Sequence, residues 1–218
     1  MRQVLQNKLS STNQGEIISR WEKLSLPEQN LIEKQLESVD LELVANLYQK
    51  RNQTISLPDI SKIQTVPVLN PSSNNIEAKM EGLRSLEQGE VAILMVAGGQ
   101  GSRLGTMQPK GMWPITPITQ KSLFQLHSEK ILAISRKVNR DIPFLIMTSP
   151  ATHEQTLEFF HAQRFFGLKR DQVFFFTQGT MPAVDINTGA ILFEEPSKIF
   201  TSPDGHGGTL TALKNSGL

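Results

Sequence analysis

Two cations and a run of glycines carry the clearest chemistry in this sequence. Ala97-Gly98-Gly99-Gln100-Gly101-Ser102-Arg103-Leu104-Gly105 is followed by Pro109-Lys110-Gly111. Glycines at 98, 99 and 101 let the backbone approach a flat or anionic ligand with no Cβ in the way. They also leave amide N–H groups to donate to phosphate oxygens. Arg103 lies inside the loop and Lys110 follows a proline seven residues later, so a turn between them can bring both side chains to one pocket. At about 4 Å and an effective dielectric of about 20, each cation–phosphate contact is worth about 4 kcal/mol before desolvation. Such contacts suit a group whose negative charge grows during reaction. The bland alternative is a turn flanked by two solvated cations, and the position of the loop directly after an apolar strand argues against it. Two familiar phosphate loops do not fit. The Gly-Lys-[Ser/Thr] ending of a P-loop is absent, and the glycine after Gly101 is Gly105, one position too late for a dinucleotide fingerprint. The acid such a fingerprint needs is missing too: position 120 is Gln120 and the nearest acid is Glu129.

The loop needs a rigid support, and the sequence supplies one. Val91–Ala97 is an apolar run that predicts a buried strand, with the glycines at its C-terminal end, the edge where open α/β sheets bind ligands. Ser122-Leu123-Phe124-Gln125 predicts a capping box and a helix with Phe124, Ile131, Ile134 and Val138 on one face. Strands are expected at 142–148 and 172–178, with a helix capped at Thr152 running to about Phe166 between them. Apolar strands alternating with helices predict an α/β fold, a mainly parallel sheet with helices on both faces. Asn187-Thr188-Gly189 between two apolar runs predicts a hairpin at the sheet edge.

Upstream, residues 1–15 are mostly polar and expected to fray. Ile17, Trp21 and Leu24 then fall at helical spacing, and Ser25 with Pro27 and Glu28 reads as a second helix start. A third helix is expected from about Asp40 to Lys50. The simplest role for these helices is an appendage with its apolar stripe on the main body. Leu57-Pro58, Val66-Pro67 and the run 70–75 predict an extended strap, followed by a helix over 75–88. The expected division is an N-terminal helical region over 1–52 and the α/β region over 53–218.

Composition narrows the function classes. Lys and Arg number 22 and Asp and Glu 21, so no basic excess exists to hold a nucleic-acid backbone, and any bound phosphate must be held by a local site. Zero cysteines exclude disulfides, thiolate zinc sites and cysteine nucleophiles. The four histidines are widely spaced, and no metal site is expected among them. His127 and His153 are expected at the surface, and His161 with Phe159, Phe160, Phe165 and Phe166 as core packing with a polar edge. Phe174-Phe175-Phe176 predicts a buried strand rather than a base-stacking platform. The longest strongly apolar run, Val91–Ala97, is far short of the roughly 20 residues of a membrane span. The N-terminus has no apolar h-region, so a cytoplasmic location is the expectation.

The loop, with Pro109-Lys110-Gly111, resembles the signature of the UTP:sugar-1-phosphate uridylyltransferases, and is most similar to the eukaryotic-type UDP-N-acetylglucosamine pyrophosphorylases. The similarity continues through Ser122–Gln125, Ile146-Met147-Thr148-Ser149, Phe165-Phe166-Gly167-Leu168, Gln178-Gly179, Met181-Pro182-Ala183 and Ser202-Pro203-Asp204-Gly205-His206-Gly207-Gly208. It covers nearly the whole chain. It implies a Rossmann-like, GT-A-like nucleotidyltransferase domain and the reaction of UTP with a sugar 1-phosphate, N-acetylglucosamine 1-phosphate first, to give UDP-sugar and pyrophosphate. By the same resemblance Gly98 and Gly99 lie against uracil and ribose, within a nucleotide-binding loop that includes Gln100, Gly101 and Ser102. Arg103 holds the leaving phosphates and Lys110 neutralises the α-phosphoryl group. Gln178 reads the uracil edge beside a backbone group of Gly205. His206 faces the sugar. Position 206 mixes two subfamilies. Asp204 and Gly208 match the acetylglucosamine enzymes, whereas histidine at 206 is usual in UDP-glucose and broad UDP-sugar pyrophosphorylases. The resemblance also implies that Mg²⁺ is held by an Asp beyond residue 218. It implies that the sheet lacks strands and exposes an apolar face or edge, and that the chain is about the first half of the family's length. A truncated sequence, an interrupted reading frame and a half completed by a C-terminal partner chain are the possible causes. An inactive nucleotide-binding fragment, and a relative that transfers guanylyl or cytidylyl groups, are the competing functions.

Overall fold

The computed structural model describes residues 1–53, 59–68 and 75–218. The proline turns expected at 57–58 and 70–74 lie outside them. In chain order the helices are α1 (Gln3–Ser11), α2 (Glu16–Trp21), α3 (Leu26–Glu37), α4 (Leu41–Lys50), α5 (Ile76–Gln88), α6 (Leu123–Val138), α7 (His153–Ala162) and α8 (Thr209–Ser216). The strands are β1 (Ile93–Val96), β2 (Phe144–Thr148), β3 (Val173–Thr177), β4 (Thr180–Pro182), β5 (Phe193–Glu195), β6 (Lys198–Ile199) and β7 (Thr201–Pro203). Two compact units result: Met1–Leu69 with Thr180–Ser202, and Asn70–Gly179 with Pro203–Leu218.

In the first unit the helix starts follow the sequence. Ser25 and Glu28 form the capping box of α3, and the Asp40 side chain accepts from the Leu43 amide at the head of α4. Residues 1–15 do not fray. Leu5 and Leu9 sit one turn apart on α1 and enter a core with Ile17, Ile32, Leu36 and Leu41. That core is completed by Ile191 and Ile199, so residues 180–202 pack with the helices and not at the edge of the parallel sheet. Two glutamines fasten them. The buried Gln14 amide donates to Gly189 O at 2.8 Å and accepts from Ile191 N at 2.8 Å. Gln35 donates to Ser197 O at 2.8 Å and accepts from Ile199 N at 3.0 Å. The expected hairpin forms, with Val184 bridged to Ile191.

The second unit is built on a parallel sheet ordered β1-β2-β3. Ile93 pairs with Phe144 and Ile146 with Phe175. Alternate residues of β2 face opposite ways. Phe144 and Ile146 join the α6/α7 core, while Met147 packs with Phe176 and Ala212 of α8, so helices cover both faces. β1 is not buried throughout. Ile93 and Met95 pack inward, but Leu94 and Val96 are 40% and 39% exposed, the open apolar surface expected of this sheet. On α6 the inward stripe is Phe124, Ser128, Ile131, Ser135 and Val138, and Ile134 lies off it. Ser122 caps that helix through the Gln125 amide, but the Gln125 side chain donates to Glu129 instead of closing the box. Helix α7 ends four residues before Phe166. The Thr152 hydroxyl serves the Ser149 amide rather than the helix. Arg164, Phe165, Phe166 and Gly167 then turn left-handed, with φ of 49°, 53°, 53° and 87°. That reversal drives Phe165 and Phe166 onto Phe160, at ring separations of 6.3 and 5.3 Å.

Candidate functional site

The site begins where β1 stops. The Ala97 amide makes the last ladder bond, to Met147 O at 2.7 Å. The chain then turns back on itself as an irregular hairpin. Lys110 N donates to Gly99 O at 3.1 Å and Gly101 N to Gln108 O at 2.8 Å, with Gln100 bridged to Pro109. Leu104 and Thr106 donate to Gly101 O, and Gly105 to Ser102 O. These bonds use the amides of Gly101, Leu104, Gly105, Thr106 and Lys110. Among the described residues, the amides of Gly98 and Gly99 donate to nothing and remain available to a ligand.

A cavity of about 510 Å³ opens on those two glycines. Six of the residues singled out in the sequence line it: Gly98, Gly99, Lys110, Gln178, Gly205 and His206. Gln178 follows β3, its amide N bonded to Thr148 O at 2.8 Å, so its place is set by the sheet. Its buried side-chain amide lies against Gly98, where an added Cβ would be 2.9 Å from Oε1. The Lys110 ammonium reaches over Gly99: a Cβ there would lie 3.8 Å from Nζ. Gly205 has φ of 78°, a left-handed conformation that glycine adopts without strain. Gly111 is required by space, because any Cβ would overlap the Phe124 ring. This contact seats the loop on α6.

Gln100, Gly101, Ser102 and Arg103 are not among the lining residues. Arg103 is exposed on the short 3₁₀ turn Ser102–Leu104. Gly101 is structural in its packing, since a Cβ would come 2.5 Å from Thr106 Cγ2 and 3.2 Å from Gln108 O.

Two histidines expected at the surface are half-buried instead. His127 lines the cavity, and its pKa is lowered first by burial and then by the Lys130 charge. Its spacing of three from Phe124 on α6 was the signal for this placement. His153 Nδ1 lies 2.8 Å from the Thr148 hydroxyl, which donates to Phe176 O at 3.2 Å. His161 is exposed, with its ring edge-on to Phe165 at 4.9 Å. No group of three or more metal-ligating side chains gathers among the described residues, and no helix there is long and apolar enough to cross a membrane.

A parallel three-stranded sheet with a glycine-rich hairpin at the C-terminal end of its first strand defines an α/β protein with its cavity at the sheet's ligand-binding edge. The family described as UTP–glucose-1-phosphate uridylyltransferase matches residues 41–218, and the chain belongs to it. The Arabidopsis thaliana UDP-N-acetylglucosamine diphosphorylase 2 is 35% identical over 99% of this chain and 46% of its own length. The Saccharomyces cerevisiae UDP-N-acetylglucosamine pyrophosphorylase is 36% identical over 94% of this chain and 46% of its own. Among solved structures, the Trypanosoma brucei uridine diphosphate N-acetylglucosamine pyrophosphorylase in complex with inhibitor superposes with a TM-score of 0.74. It has 29% identity and covers 96% of this chain and 44% of its own. The chain thus spans about half the length of the curated relatives it matches.

Proposed function

We propose that this chain carries the nucleotide-binding half of a uridylyltransferase that converts UTP and a sugar 1-phosphate, N-acetylglucosamine 1-phosphate first, into UDP-sugar and pyrophosphate. The observation that supports this best is convergence. Gly98, Gly99, Lys110, Gln178 and Gly205 come from three separate stretches of sequence and line one cavity. An amide that can donate and accept at once suits the imide edge of uracil, which is the role given to Gln178. Gly98 and Gly99 offer bare peptide to the base and ribose. In the reaction an oxygen of the sugar phosphate forms a bond to the α-phosphorus of UTP, and the bond from that phosphorus to the leaving pyrophosphate breaks. Lys110 would offset the charge that builds on the α-phosphoryl oxygens, and Arg103, on the outer turn, would hold the β- and γ-phosphates. His206 is assigned to the sugar. Mg²⁺ is the expected metal. The described residues gather no ligand set for it, so no step is routed through it.

His206 favours a second reading of the acceptor, glucose 1-phosphate or a broad range of sugars. One experiment addresses both. The 218-residue chain is titrated with UTP, GTP and CTP while backbone amide resonances are followed, then mixed with UTP, Mg²⁺ and each sugar phosphate while pyrophosphate is measured. UTP binding in preference to the others, with shifts at 98–110 and 178, supports the nucleotide-binding assignment. Pyrophosphate release then ranks the sugars, and binding without release marks a nucleotide-binding piece. UTP that leaves 98–110 unperturbed overturns the proposal.

A further inference from the structure

We infer that Asp204 is a positioning residue for the nucleotide cavity, holding the end of β3 to the 203–208 loop so that Gln178 and Gly205 face one ligand. The inference rests on the assignment of that cavity to UTP.

Two glycines 29 residues apart converge on this carboxylate. A Cβ on Gly208 would lie 2.6 Å from Asp204 Cγ, and a Cβ on Gly179 would lie 3.2 Å from the same atom. Neither glycine has a positive φ, so what each needs is space and not an unusual backbone. That space is filled by Asp204. The Asp204 amide also donates to Gly179 O at 3.1 Å, so the main chain ties the loop to residue 179 while the exposed side chain packs beside both glycines without a hydrogen bond of its own among the described residues. The carboxylate lies beside Gly208, the residue before α8, where the first peptide N–H groups of the helix favour negative charge. Among the described residues it makes no ion pair.

The location gives this contact its consequence. Asp204 faces a second cavity of about 500 Å³, together with Thr177, Thr211 and Asn215. The next two residues, Gly205 and His206, face the first cavity. Gln178 borders both. Residues 178–179 and 204–206 therefore form the partition between the two cavities, and the Asp204 side chain packs against both halves from behind. A clamp of this kind leaves less ordering to be done when ligand binds. Asp204 touches no substrate in this arrangement. It acts through Gln178 and Gly205.

The test uses the whole chain with Asp204→Ala, Asp204→Asn and Gly208→Ala, with Thr211→Ala as a control that borders only the second cavity. Amide exchange, the Gln178 side-chain resonances, UTP affinity and thermal melting are measured on each. Asp204→Ala is expected to speed exchange at Gly205 and Gly208, to shift the Gln178 side-chain amide and to weaken UTP about tenfold. Asp204→Asn keeps the shape and should recover most of that loss. Gly208→Ala displaces the carboxylate and should reproduce the Ala phenotype, and Thr211→Ala should bind UTP as the wild type does. Unchanged resonances at Gln178 and Gly205 in Asp204→Ala overturn the inference, as does a loss no larger at these sites than across the unit. If Asp204→Ala fails to fold, Gly208→Ala and Asp204→Asn decide. A wild type that ignores UTP sinks the nucleotide assignment, while the exchange and resonance data still settle the clamp.

Discussion

Replacing Gly98 with alanine puts a methyl group 2.9 Å from Gln178 Oε1, 3.0 Å from its Cδ and 3.1 Å from its Nε2. Replacing Gly99 puts one 3.7 Å from Lys110 Cδ, an ordinary contact. Neither residue has a positive φ, so backbone strain plays no part in the comparison. At 98 the buried Gln178 amide must move by a few tenths of an ångström. Overpacking of this sort costs about 1–3 kcal/mol, with the low end expected because the obstacle is the tip of a side chain. Alanine recovers about 0.4–1 kcal/mol by restricting the unfolded chain. The net stability loss at 98 should therefore be at or below about 1 kcal/mol, and Gly99→Ala should be neutral or slightly stabilising.

Binding separates the two in a different way. A displaced Gln178 forfeits the paired hydrogen bonds to the base edge, worth about 1–3 kcal/mol, which is roughly 5- to 150-fold in Kd. At 99 the methyl group enters the cavity where the base and ribose are assigned, and crowding them costs about 1–3 kcal/mol without any loss of fold. Urea unfolding of both variants, beside competitive titration with UTP, measures the four quantities. Gly99→Ala with unchanged stability and weakened UTP is the informative result, because the methyl group's contact within the protein, with Lys110, is of ordinary length. Gly99→Ala that binds UTP as the wild type does would refute the placement of nucleotide on this hairpin.

Lys110→Ala should lower turnover in the proposed uridylyl transfer by at least about 100-fold, the scale of one lost transition-state charge contact. A small effect confined to KM would argue against its role at the α-phosphoryl group. Asp185 gives a pH signature in the first unit. The amides of Thr188 and Asn187, and then the Thr188 hydroxyl, hold its carboxyl below the ordinary 3.8. Its contribution is fully present above 3.8 and is lost as the pH falls through the lower folded value. Asp185→Asn should remove that part of the acid sensitivity, and melting curves of both proteins between neutral pH and about pH 2 check it. Superimposable profiles would refute the assignment.

Sequence signals that act within one turn of chain were legible. Ser25 with Glu28, Asp40 before α4 and Asn75 before α5 each start a helix where their side chains predict, because a cap needs only the next three residues. Long-range partners were not legible. Helix α1 looked too polar to hold. Its two leucines are buried in a core that gathers Ile17, Ile32, Leu36 and Leu41 from the following helices with Ile191 and Ile199 from much later in the chain, which no local window contains. The same distance hid the allegiance of the 180–202 hairpin, which depends on Gln14 and Gln35 as bridges between backbone groups. The left-handed turn at Arg164–Gly167 contradicts the propensity of three of its four residues. Burial of Phe165 and the ring contacts of Phe166 with Phe159 and Phe160 favour it. In the site, the hairpin from 98 to 110 was legible because its glycines and proline are local. Gln178 and Gly205 came from resemblance and not from spacing. His127 was missed, although it falls on the inward side of its own helix.

The separation of Arg103 from Lys110 follows from the same hairpin. Its pairing sets Gly99 opposite Lys110 and Gly101 opposite Gln108. Lys110 is thereby fixed at the base of the hairpin, over Gly99, and Arg103 lies in the turn beyond the last pair. The four steps from residue 99 to residue 103 span at most about 13 Å at the rise of an extended strand, and less where Ser102–Leu104 coils into its 3₁₀ turn. Side chains as long as arginine and lysine can still meet one phosphate over that span, but a triphosphate laid along the hairpin would meet them at different groups, with its α-group at the base and its terminal groups toward the tip. The two cations are then not redundant. Loss of Lys110 should fall on the chemical step at the α-phosphorus, and loss of Arg103 on the hold over the group that leaves. Equal kinetic profiles for Lys110→Ala and Arg103→Ala would mean that the hairpin presents both side chains to one phosphate, and the extended placement would be wrong.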